Sequence, residues 1–188
     1  MNDTRRLIAV AVFSVIVLLF NIILFPMTEI NNPSEGLIML DLRSSYDLNY
    51  VLKLFNNIGT EGRLHYLYFL VADTIYIYAY FMLSWHVIIF LQRNIGKLGV
   101  LTVFLRFSAI PAILFDIFEN INTFLLLLNF PEITEKMASR GSVATTFKWY
   151  SVSGLVLIVI SYTFYLLIRQ LFWILRKKTN IIQPTKNT

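Results

Sequence analysis

Cysteine is absent from all 188 residues. The chain can therefore build no disulfide, no thiol redox centre, no Cys nucleophile and no Cys-ligated metal site. Among small helical membrane proteins, that excludes a quinone-linked disulfide-forming enzyme. Histidine is nearly absent. His65 and His86 are the only two, and they fall at opposite ends of one predicted helix. At 1.5 Å per residue they stand roughly 30 Å apart, too far to share a metal. The sequence lacks a Gly-x-Gly-Asp protease motif, His-Glu-x-x-His, Gly-x-Ser-x-Gly and a phosphate-binding glycine loop. Asn32-Pro33-Ser34 fails as a glycosylation site because of its proline. No cofactor and no metal are expected. Charge is sparse as well, with Asp, Glu, Lys and Arg making up 14% of the chain, where a soluble domain carries about 25%.

What the chain does have is apolar length. It is 57% hydrophobic, with a mean hydropathy of +0.66, and the apolar residues come in blocks. Runs of about 18 or more read as membrane spans rather than core helices. Four are predicted, at about 7–25, 66–91, 100–129 and 149–172. Arg5 and Arg6 precede the first, as in a signal peptide. Its apolar run is about 19 residues, too long for that role, and no small-x-small cleavage site follows. We therefore expect an uncleaved anchor. The fold class is an all-α membrane protein, an antiparallel four-transmembrane-helix bundle forming a single membrane domain over residues 1–188.

The net charge of +5 does not imply nucleic acid, because the basic residues cluster at the ends of apolar blocks. With the N-terminus inside, the cytoplasmic segments hold Arg5, Arg6, Arg93, Lys97, Arg169 and the run Arg176-Lys177-Lys178. The outer segments hold Arg43, Lys53, Arg63, Lys136, Arg140 and Lys148, mostly among acids. The positive-inside rule then puts both termini, including a tail over 173–188, in the cytoplasm of a multi-pass cell-membrane protein. Trp85, Trp149 and Trp173 fall near span ends, as an aromatic belt requires.

The first outer loop is the only long one. Residues 32–36 carry turn chemistry, and an amphipathic helix is predicted over 44–58. Ser44 and Asp47 resemble a capping box, and Gly59 supplies a stop. Tyr50, Val51, Leu54, Phe55 and Ile58 form its apolar stripe. Such a helix lies in the interface or shields the bundle mouth.

The chemistry lies in polar residues within the spans. A charge at mid-span costs about 2.5–3.5 kcal/mol on insertion scales, so such residues face the bundle interior and usually have a role. Span three holds Asp116, Glu119, Asn120 and Thr123 at i, i+3, i+4 and i+7, one helical face. Ala109 and Ala112 continue that face, and Pro111 is expected to kink the span. Span two offers Tyr66, Asp73, Tyr76, Tyr80 and Ser84 on a matching face. Asp73 and Glu119 fall roughly 10 and 15 Å below the outer ends of their spans, so the two faces can meet. No Lys or Arg lies at that depth. Arg63 and Lys148 are the cations that could reach from above. Three carboxylates in low dielectric with so few cations are not all expected to be ionised. The plain alternative for Asn120, Thr123 and Ser84 is helix pairing, each interhelical bond giving roughly 0.6 kcal/mol. Gly154 and Ser161, seven apart, read as a close helix contact.

The ordered set Glu61-Gly62-Arg63-x-x-Tyr66, Asp73-x-x-Tyr76-x-x-x-Tyr80 and Phe115-Asp116-x-x-Glu119-Asn120 resembles a pattern of uncharacterised four-pass membrane proteins of microbes. The resemblance covers about Asp41 to Asn129 and implies no activity. The leading expectation is an outward-facing polar cavity between spans two and three, holding a lipid-like or small amphipathic ligand. Asp73, Asp116, Glu119 and Asn120 hold its polar end, Tyr76 and Tyr80 line the wall, and Arg63 guards the mouth. Three other roles fit the same residues: a proton- or cation-coupled transport element, an enzyme on a membrane-embedded substrate using an Asp/Glu pair, and a partner subunit of a membrane complex. The expected partners are the bilayer, a lipid-like ligand, and a second copy or another membrane protein, with no nucleic acid.

Overall fold

The computed structural model describes residues 3–24, 37–95 and 100–182. Helix α1 spans Asp3–Leu19 and runs into a wider π-helical turn, Phe20–Leu24. A short 3-10 turn, Leu40–Leu42, precedes α2, Leu48–Ile95. Then come α3 (Val100–Phe107), α4 (Ala109–Leu128) and α5 (Glu135–Ile182). Four helical stretches are long and apolar enough to cross a membrane: Thr4–Ile23, Leu48–Arg93, Val103–Leu128 and Glu135–Phe172. The expected stop at Pro26 and the turn at 32–36 lie outside the described residues, as do the side chains of Arg106, Trp173 and the 176–178 cluster.

The loop helix begins four residues later than expected, at Leu48. Asp47, not Ser44, closes its start: Asp47 Oδ1 accepts the Tyr50 N–H at 2.8 Å. Ser44 is engaged elsewhere, its carbonyl accepting the Thr146 hydroxyl at 2.8 Å. The stripe is buried as its spacing requires, with Val51, Leu54 and Phe55 at 0% exposure. It packs with Phe69, Leu70, Leu126, Leu127 and Ala138, so the arm closes one end of the bundle.

Gly59 has φ 64° and ψ −168°, a backbone region open essentially to glycine alone. The helix resumes at once, so a single residue separates the arm from the span, where a longer linker was expected. The span expected from residue 100 is broken at Ser108, between α3 and α4. Pro111 removes the N–H that would hold the Phe107 carbonyl, and the ladder gives way there. The Ser108 hydroxyl donates back to the Leu105 carbonyl at 2.8 Å.

The largest departure is α5. Its helix starts 14 residues before the expected Trp149. Residues 135–148 read as a loop because they are small and polar. They are helical because Ala138, Thr145 and Ala144 bury to 1% exposure or less. Gly141 lets Tyr46 approach, since a β-carbon there would meet the Tyr46 hydroxyl at 2.5 Å. The close contact expected at Gly154 and Ser161 is absent among the described residues: none lies within 4 Å of a β-carbon at Gly154, and Ser161 is exposed.

Helix α5 packs on α4 and α2, and α2 also packs on α4. The extensive helix contact of α1 is with α2. At the end of the bundle away from the loop arm, Ile88, Leu105, Ala109, Ala112 and Leu155 form an apolar cluster.

Candidate functional site

The polar face of α4 is buried throughout: Asp116, Glu119, Asn120 and Thr123 are 5%, 0%, 8% and 1% exposed. From this one face the side chains fan out to two neighbouring helices. Asn120 Nδ2 donates to Asp73 Oδ2 on α2 at 2.8 Å. The Tyr80 hydroxyl, also on α2, donates to Asp116 Oδ2 at 2.8 Å. Thr145 on α5 donates to Glu119 Oε1 at 2.8 Å. The faces of spans two and three therefore meet as their periodicity required.

The centre of the network is a residue expected only at its margin. Lys148 Nζ lies 2.6 Å from Glu119 Oε2 and 3.3 Å from Asp116 Oδ1. The first contact is a charge-assisted hydrogen bond. The second is close enough for ion pairing but misaligned for a hydrogen bond, so Asp116 Oδ1 is buried without a hydrogen-bond partner. The expectation that no cation sits at the depth of these acids is corrected here. Because α5 begins at Glu135, Lys148 is a mid-helix residue turned inward, not a cap on the span. The spacing Thr145, Lys148, Val152, Leu155 marks the inward face and is the signal that locates it.

A fourth acid joins from the loop. Asp41 is 7% exposed. Its Oδ1 accepts the Tyr66 hydroxyl at 3.3 Å, and its carbonyl accepts the Trp149 indole N–H at 3.1 Å. The Leu40 N–H donates to the Tyr66 oxygen at 2.8 Å. One tyrosine and one tryptophan thus pin this turn over the polar cluster. Burial holds the Asp41 carboxyl above its ordinary value, against the opposing pull of Lys148.

Beside these groups lies a cavity of about 700 Å³. Its polar end is lined by Asp41, Asp73, Asp116, Lys148, Tyr76, Tyr80 and Trp149. Its remaining wall is mostly aliphatic: Val10 from α1, Leu83 and Val87 from α2, and Val152, Leu155, Val156, Val159 and Ile160 from α5. The π-helical turn of α1 adds Asn21, whose Nδ2 donates to the Tyr76 oxygen at 3.1 Å. The cavity was expected between spans two and three. It lies instead among α1, α2 and α5, with α4 contributing Asp116 alone. The reason is packing: α4 fits closely against α2 and α5, whereas α1 leans on α2 and leaves a gap toward α5.

The expected site residues separate accordingly. Asp73, Asp116, Tyr76 and Tyr80 line the cavity. Glu119 and Asn120 stand behind the wall and hold Lys148 and Asp73 in place. Arg63, expected at the mouth, is elsewhere. It donates to the Phe55 carbonyl at 2.7 Å and lies over the Phe130 ring at 4.5 Å, capping the loop arm where Gly59 ends it. Asp41, Lys148, Asn21 and Trp149 complete the site. Among the described residues, no group of three or more His, Asp or Glu is placed to hold a metal ion. No model of a known family matches this chain, and no curated protein or solved structure matches it either.

Proposed function

We propose that the chain is a multi-pass protein of the cell membrane that holds one small amphipathic, lipid-like molecule in this cavity. The four spans form an antiparallel bundle with both termini cytoplasmic, and the loop arm and polar cluster lie toward the outer face. The four long apolar helices support insertion, as does their exposed surface. Leu7, Ile8, Val12, Val15 and Leu18 of α1 and Leu157, Phe164 and Leu167 of α5 are all at least half exposed, as lipid-facing residues of a bundle are.

The observation that carries the reading is the composition of the cavity along its length. Charged and aromatic groups converge at one end, and aliphatic groups fill the other. Its volume lies within the range of about 300–1,000 Å³ typical of small-molecule sites. From Lys148 to Ile160 the lining of α5 extends roughly 18 Å, the reach of a medium alkyl chain. The gap between α1 and α5 gives such a molecule a way in from the bilayer. A channel fits less well, because polarity stops at Ala112 and Ala109. Both are fully buried in an apolar cluster with Ile88, Leu105 and Leu155.

The test is native mass spectrometry with extraction of bound lipid from gently purified protein. One amphipathic molecule per chain is expected on the unmodified protein. Leu83→Trp, which fills the aliphatic part, should lose it while the protein stays monodisperse and helical. Equal loading of the two proteins, or a clean apoprotein that takes up no cationic, neutral or anionic amphiphile, overturns the reading.

A further inference from the structure

The cavity's polar end is unequal in charge, and we infer that it is built for an amphiphile with a positively charged, hydrogen-bond-donating head, an alkyl ammonium. The inference rests on the cavity being a binding site and specifies its ligand class.

Three carboxylates line the polar end, Asp41, Asp73 and Asp116, against one ammonium, Lys148. That ammonium is already committed. Its short bond, 2.6 Å, goes to Glu119, which stands behind the wall. Lys148 is shared between Glu119 and Asp116, so the cavity keeps a surplus of acceptors over donors. Among the described residues each lining acid accepts a side-chain hydrogen bond on one oxygen: from Tyr66 at Asp41, from Asn120 at Asp73 and from Tyr80 at Asp116. Asp116 Oδ1 is buried, faces Lys148 off the line of a hydrogen bond, and accepts none. A buried acceptor left without a donor is costly, and a nearby charge compensates it only in part. The chemistry that answers it is a donor with positive charge. An anionic head would compete with these carboxyl groups for the one lining ammonium, Lys148, and a neutral hydroxyl would bring no positive charge to Asp116.

The aromatic groups agree. Tyr76 and Tyr80, with ring centroids 5.6 Å apart, share the wall with Trp149. Aromatic faces attract organic cations, and Lys148 Nζ already lies 5.7 Å from the Trp149 ring centre.

The experiment is competition by native mass spectrometry on the delipidated full chain in a non-ionic detergent. The probes, at equal concentration, are dodecylamine, dodecyltrimethylammonium, dodecanol and dodecanoate, with butylamine as a soluble amine lacking the chain. The expected result is retention of one or both cationic dodecyl probes at least tenfold above dodecanol and dodecanoate, with butylamine not retained. Asp116→Asn, which keeps shape, should reduce that preference to threefold or less. Asp73→Asn is the second variant, should Asp116→Asn fail to purify. Dodecanol or dodecanoate retained as well as the amines overturns the charge assignment and leaves the cavity reading intact. Retention of butylamine alone overturns the amphiphile class. No retention of any probe overturns both readings.

Discussion

Glu119 and Lys148 are the residues on which the interior depends most. Glu119 is fully buried and Lys148 is 8% exposed, so both charges are largely withdrawn from water. Removing one member of such a pair leaves a buried charge uncompensated, at a cost of about 3–5 kcal/mol. Replacing both with apolar or neutral groups of similar shape is far milder. Glu119→Gln and Lys148→Met should therefore each lower the thermal midpoint of detergent-solubilised protein markedly. The double variant should lie well above the sum of the two losses. Strictly additive losses would show that the two side chains do not act as a pair. Asp116→Asn differs, because Asp116 shares its lysine with Glu119 and faces the cavity. It should disturb ligand retention more than stability. Periodicity made the acids legible, since i, i+3, i+4, i+7 on an apolar helix has few other readings. Lys148 was legible only as a cation near a span end. Its inward turn depends on how far α5 extends beyond the apolar stretch.

At the scale of elements, two glycines that look alike in sequence do opposite things. Gly59 sits between the loop arm and its span at φ 64°. Nothing lies within 4 Å of a β-carbon there, so an added methyl group meets no neighbour and only the backbone is strained. Gly59→Ala should cost about 1–3 kcal/mol. Gly154 is also clear of neighbours but lies inside regular helix. Gly154→Ala should be neutral or stabilise by up to about 1 kcal/mol, the helix propensity difference. Paired melting curves give opposite signs under this account, and a loss at Gly154 would show that it packs against another helix or another copy of the chain. The loop arm itself was legible from its stripe and its glycine. Its exact start was not, because Ser44 and Asp47 are equally good caps in isolation. The choice went to Asp47 once Thr146 had taken the Ser44 carbonyl.

For the whole molecule, the proposed topology ties the depth of the acids to the placement of the ends. Tags at either terminus and at Asn94 should react only after the membrane is made permeable, whereas a tag at Ser139 should react on intact cells. A tag at Lys178 that is accessible from outside would invert the bundle and move the cavity to the cytoplasmic half. The loose seating of α1 is the whole-molecule feature with the most consequence, because a tighter helix there would close the cavity.

Composition and periodicity by themselves determined the four apolar helices, the buried acidic face of α4, the tyrosine face of α2 and an amphipathic loop arm ended by a glycine. These are properties of single helices, set by which residues recur every three or four positions and by the cost of leaving them in the wrong medium. The tertiary structure alone decided three things: that Lys148 joins the acids, that Asp41 comes down from the loop, and that the cavity opens toward α1 instead of lying against α4. Each depends on which helix approaches which and how closely. Small residues permit close approach between α4 and α5, and the periodicity of a single helix carries no record of the gap left beside α1.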